Sequence, residues 1–163
     1  MPTAATPSTL GEGRPRPWVV TGVDRSPSAI QALRWAADYV EMAHGTLLAV
    51  TACPDVDASY ADMLEVVTVM EQHAAEGRLA AQSDIEALVA EVLGDQAGSA
   101  VARAFSGGVA DILLEASENA DLLVIGATPR GRLGRALLSS VRPGHLSRLH
   151  CPVVLVRAPD PRR

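Results

Sequence analysis

Short runs of purely apolar residues alternate along this chain with longer stretches in which apolar positions recur every three to four residues. The first pattern predicts strands buried on both faces of a parallel sheet, and the second predicts helices packed on that sheet. Trp18 to Val23, Thr46 to Ala52, Ser99 to Phe105, Leu122 to Ile125 and Val153 to Val156 are the strand-like runs. After the first, Ser26-Pro27 supplies an N-cap followed by proline at the first helical position, and Ile30, Leu33, Ala36, Ala37 and Val40 recur at helical spacing. Gly45 is the expected left-handed residue that ends this helix. Cys53 to Ser59 reads as a polar turn. An Ala-rich helical stretch then runs from about Ala61 to Leu93, with Leu64, Val67, Leu79, Leu88, Val89 and Val92 toward the sheet and Gly77 as a point of bending or division. Gly107-Gly108 turns the chain into a third helix over Val109 to Asn119, with Ile112, Leu113 and Ala116 inward, and a short fourth helix follows Ser140. Strict alternation of strand and helix predicts an α/β fold, a five-stranded parallel sheet with right-handed crossovers.

Charge singles out the last part of this pattern. Between Asp121 and Asp160 there is no acid, while Arg130, Arg132, Arg135, Arg142, Arg148 and Arg157 all fall there, in a chain of net charge -5. The same interval carries Gly126, Gly131, Gly134, Ser139 and Ser140 between a buried strand and a helix. A glycine-containing loop that feeds a helix N-terminus is a place where backbone N–H groups and the helix dipole hold an anion, most often a phosphate. Ligands of open α/β sheets sit beyond the carboxyl ends of the strands, which is where Asp24, the residues after Val50, and Gly126 fall.

Composition narrows the classes of function. A chain of 163 residues is the size of one domain. Its 48% hydrophobic but only 3% aromatic content calls for a core of Val, Leu, Ile and Ala. Residues 1–16, rich in Pro, Thr, Gly and Arg, read as a disordered leader, residues 17–158 as the domain, and residues 159–163 as a tail. The acidic balance argues against nucleic acid as a partner. No run approaches the roughly 18 to 20 apolar residues of a membrane span, and the N-terminus has no signal pattern, so a cytoplasmic location is expected. Cys53 and Cys151 belong at opposite edges of the sheet, so a disulfide between them is not expected. His44, His73, His145 and His150 have no metal-ligand spacing. Asp55 and Asp57 fit a solvated acidic turn better than a magnesium site, and no catalytic nucleophile and base are placed together, so no enzyme is expected.

Two segments, V-V-T-G-V-D-R-S-P-S-A-I-Q-A-L-R-W-A-A and D-L-L-V-I-G-A-T-P-R-G-R-L-G-R-A-L-L-S-S-V, with the closing H-C-P-V-V-L-V-R, resemble the universal stress protein family over Trp18 to Arg157. The resemblance implies a Rossmann-like fold with strand order 3-2-1-4-5, and a homodimer formed along Val153 to Val156. It also implies a pocket for an adenine nucleotide, ATP, AMP or a cyclic nucleotide, with or without magnesium. By the same resemblance Asp24 contacts the nucleoside, and Val23 and Val50 line the adenine slot. Gly126, Arg130, Gly131, Arg132, Ser139, Ser140 and Val141 belong to the phosphate side. The family's nucleotide-binding pattern G-x2-G-x9-G-[S/T] begins at Gly126 and ends at Ser140, but Pro129 and Ser139 replace its two middle glycines. Proline has no N–H to offer a phosphate, so the phosphate loop is degenerate. Two readings follow: a nucleotide binder with an altered phosphate grip, or a dimeric interaction module of the same family that binds none. Asp24 also has a purely local alternative, a hydrogen bond to the turn before Ser26, and Ser140 has one as a helix N-cap.

Overall fold

The computed structural model describes residues 5–53, 64–127 and 147–158, with side chains in the second helix from residue 71 onward. The strands are β1 (Trp18–Gly22), β2 (Thr46–Cys53), β3 (Ala100–Ser106), β4 (Leu122–Gly126) and β5 (Val153–Val156). The helices are α1 (Pro27–Ala43), α2 (Leu64–Leu93) and α3 (Val109–Ser117). All strands pair in parallel, in the order β3-β2-β1-β4-β5. The helix expected after Ser140 lies outside the described residues, as does the tail.

Side chains alternate across each strand, so one sheet makes two cores. Val19, Val23 and Leu47 meet Leu33, Ala36 and Val40 of α1 and Ile85, Leu88 and Val89 of α2 on one face. On the other, Val20, Leu48, Val50, Leu123 and Ile125 meet Ile112, Leu113 and Ala116 of α3. Thr21 points to the same side as Val19 and Val23, is fully buried, and its hydroxyl oxygen lacks a hydrogen-bond partner among the described residues.

Helix α1 starts as its sequence directs: the Ser26 hydroxyl accepts from the Ala29 N–H at 3.3 Å and Pro27 follows. Its end corrects the expectation. His44, with φ 54°, takes the left-handed position, and its neighbour Gly45 does not. Gly45 is needed for another reason, since a Cβ there would collide with the carbonyl oxygen of Pro17. Helix α2 is continuous through Gly77, and Leu79 is 70% exposed, while Ile85 takes a buried place on the sheet side.

The segment read as a disordered leader is anchored on the domain, with Pro7, Leu10 and Gly11 buried. Pro7–Thr9 form a 3-10 turn beside α3, where the Ser8 carbonyl accepts from Asn119 Nδ2 at 3.0 Å. Leu10 is buried in the second core, and the Trp18 ring lies so close to Gly11 that a Cβ there would overlap it. The averaged composition of the segment hid these anchors, Leu10 and Gly11 within it and the Trp18 ring that Gly11 approaches.

Cys53 and Cys151 are free thiols, the first closing β2 and the second just ahead of β5. Burial, and then the nearby Asp121 carboxylate, push the Cys151 pKa above the ordinary thiol value.

Candidate functional site

The sheet's topology reverses between β1 and β4, because the chain winds outward through β2 and β3 and then returns to the far side of β1. A crevice at the carboxyl end of that pair is where α/β folds hold ligands. Val23 emerges from β1 there, its N–H donating to the Val50 carbonyl at 2.8 Å, and Asp24 follows. One Asp24 carboxylate oxygen accepts from the Ser26 N–H at 2.8 Å, which fixes the turn into α1. The same residue lines a cavity of about 410 Å³. The local and the ligand-facing readings of Asp24 are therefore compatible.

The cavity lies between the ends of β1 and β2 and the flank of α2. Val23, Thr51 and Cys53 form its strand side, and Ala74, Gly77 and Ala81 form its helix side. Spacings of three and four along α2 put these small residues on one face, so the helix leaves room where larger side chains would close the gap. His73 and Asp84, both exposed, stand on the lining with Asp24 and Arg25. Cys53 Sγ donates to the Phe105 carbonyl at 3.4 Å, a weak contact that ties the cavity to β3. The volume falls within the range of roughly 300 to 1,000 Å³ typical of small-molecule sites.

Gly126 ends β4 in contact with the first turn of α1: a Cβ would fall 2.5 Å from the Ser28 carbonyl carbon and 2.6 Å from the Ala29 nitrogen. The next residue, Ala127, donates to the Val156 carbonyl at 2.7 Å. Gly126 has no left-handed φ, so close backbone approach is what requires glycine there. The chain leaves Gly126 beside a helix N-terminus, where orphan N–H groups and the dipole favour an anion.

Of the residues predicted for the site, Val23, Asp24 and Gly126 converge on this edge. Val50 reaches it through its backbone carbonyl, while its side chain packs in the second core, away from the cavity. Arg130, Gly131, Arg132, Ser139, Ser140 and Val141 lie outside the described residues, together with Pro129. The α2 wall was missed in the sequence, where Gly77 read as a bend. The signal was present in the run of small residues on the helix face that carries Gly77.

Comparison with known proteins identifies the family and the fold. A sequence model of the Universal stress protein family matches residues 18–157. A universal stress protein of Mycolicibacterium smegmatis is 30% identical over 143 residues, covering 87% of this chain and 48% of the relative. The chain spans about half the length of the curated relatives it matches. Among solved structures, a universal stress protein in complex with cAMP superposes with a TM-score of 0.56 at 25% identity, over 87% of this chain and 97% of that one. The universal stress protein of Archaeoglobus fulgidus in complex with dAMP shares the fold, with a TM-score of 0.50 at 18% identity over 86% of this chain and 96% of that one.

Proposed function

Because this chain belongs to the universal stress protein family, we propose that it binds an adenine nucleotide in the cavity at the carboxyl end of β1 and β2. It acts as a cytoplasmic regulator that senses the ligand and does not turn it over. The observation that carries this reading is the cavity itself, which opens beside Asp24 at the family's nucleoside position and is walled by the small residues of α2. The base enters between Val23 and α2, the ribose meets Asp24, and the phosphate lies toward Gly126 and the arginines that follow it. Pro129 removes one N–H from the phosphate side. A charge-assisted hydrogen bond is worth about 1.5–3 kcal/mol, or roughly tenfold to over a hundredfold in affinity. AMP or a cyclic nucleotide, which rely on fewer phosphate contacts, are therefore favoured over ATP.

The second reading, a dimeric interaction module, draws support from β5. This edge strand carries Leu155 at 56% exposure, and an apolar edge is a pairing surface. A homodimer along β5 is compatible with either reading. Titration calorimetry with AMP, cyclic AMP and ATP separates them, alongside identification of any nucleotide released when the purified protein is denatured. Saturable binding of AMP or cyclic AMP, weakened tenfold or more in Asp24→Ala, is expected. No heat at millimolar ligand and no copurified nucleotide would leave the interaction module.

A further inference from the structure

The outer edge of β3 is occupied by a side chain that imitates a strand. Among the described residues strand β3 is terminal in the sheet, with β2 on one side only. On its other side Gln82 of α2 makes two hydrogen bonds to the backbone: Nε2 donates to the Ala102 carbonyl at 2.9 Å, and Oε1 accepts from the Ala104 N–H at 2.8 Å. In a parallel ladder, a residue opposite position i donates to the carbonyl of i−1 and accepts from the N–H of i+1. The Gln82 carboxamide meets that pattern with Arg103 as position i, and so takes the place of the N–H and C=O of one residue of a sixth strand. Glu86, one helical turn on, accepts from the same Nε2 at 2.5 Å and holds the amide in orientation. The Arg103 guanidinium also donates to the Ala102 carbonyl at 2.9 Å, and its charge stands on the exposed side of the strand. Edge strands with free backbone groups invite pairing with other chains, and charged side chains are one way in which proteins suppress it.

We infer that Gln82 closes the β3 edge to strand addition by a second copy of this chain, leaving β5 as the one sheet edge at which copies pair. This deepens the β5 pairing proposed above, yet it concerns the opposite edge and stands or falls separately. A sheet with one open edge gives assemblies that stop at two copies. With both edges open, copies add on without limit, because β3 and β5 do not lie on one closing interface.

Gln82→Met tests the idea, since it keeps the length and helix propensity of the side chain and removes only the amide. Sedimentation velocity across a concentration series, with amide hydrogen exchange at Ala104, reads both halves of the inference. In Gln82→Met the Ala104 N–H loses protection by roughly tenfold, the equivalent of one hydrogen bond, and the mass rises at least one association step above that of the wild type. If the wild type is a monomer and the variant a dimer, Gln82 keeps its role and the pairing at β5 falls. A folded variant with the wild-type mass at every concentration overturns the inference. Should the variant not fold, exchange in the wild type decides: an Ala104 amide as slow as the buried amides of β1 supports the cap, and one as fast as an exposed edge overturns it.

Discussion

The two ends of the sheet are treated in opposite ways. At the amino end, polar and ring contacts tie the start of β1 to its neighbours. The Asp121 carboxylate accepts from the Trp18 N–H and from Arg16, each at 2.8 Å, and the Arg16 guanidinium stacks 4.2 Å over the Trp18 ring. The Trp18 indole N–H donates to the Arg14 carbonyl at 3.1 Å, and the Thr46 hydroxyl to that of Pro15 at 2.8 Å. At the carboxyl end, the strands run out into a cavity faced by Asp24, Thr51 and the small residues of α2. The amino end spends its polar groups on stability. The open end leaves a cavity with Asp24 and Thr51 on its lining, and it is there that the proposed ligand site falls.

Substitutions should separate these two roles. The largest effect falls on the amino end: Trp18→Ala, at a ring only 8% exposed, is expected to cost about 3–5 kcal/mol. That lowers the melting temperature by on the order of 10 °C, with nucleotide affinity unchanged while the protein is folded. Next comes Gly126→Ala, whose Cβ must push β4 from the first turn of α1; overpacking of this kind costs about 1–3 kcal/mol. Because the glycine sits at the open end, thermal unfolding and affinity should fall together. Gly77→Leu sharpens the comparison most, because its two effects have opposite signs. Replacing an exposed helix-interior glycine stabilises by about 0.5–1 kcal/mol, whereas the new side chain enters the cavity and should weaken AMP at least tenfold. A Gly77→Leu protein that melts higher and still binds AMP normally would remove the cavity from the account. The smallest effect is expected for Thr21→Val, which replaces a buried hydroxyl that has no partner among the described residues and should stabilise by up to about 1 kcal/mol without touching the ligand.

Much of the sheet was legible in the sequence. Strands buried on both faces leave uninterrupted apolar runs, and Val153–Val156 has the same limits in the pattern and in the fold. Asp24 and Gly126 could be placed at the carboxyl edge of the sheet because they directly follow or end such runs. What failed to show depends on contacts distant in sequence. The packing of Leu10 and Gly11 against Trp18 cannot be seen in a composition average. Gly45 is needed for its close approach to Pro17, a constraint 28 residues away, while the left-handed position falls one residue earlier at His44. Gln82 reads as one more exposed helix residue until β3 is beside it. The α2 wall differs, since its small residues Ala74, Gly77 and Ala81 were visible at helical spacing and only the cavity they face was not.

The most direct test is to follow the backbone amides by NMR while AMP is added. Progressive shifts should concentrate at Val23 to Arg25, Thr51 to Cys53 and Gly77 to Asp84, with Arg16, Trp18, Thr46 and Asp121 unmoved. Saturable binding whose shifts gather at the amino end, or bypass the α2 wall altogether, would contradict the assignment of the open end as the ligand site.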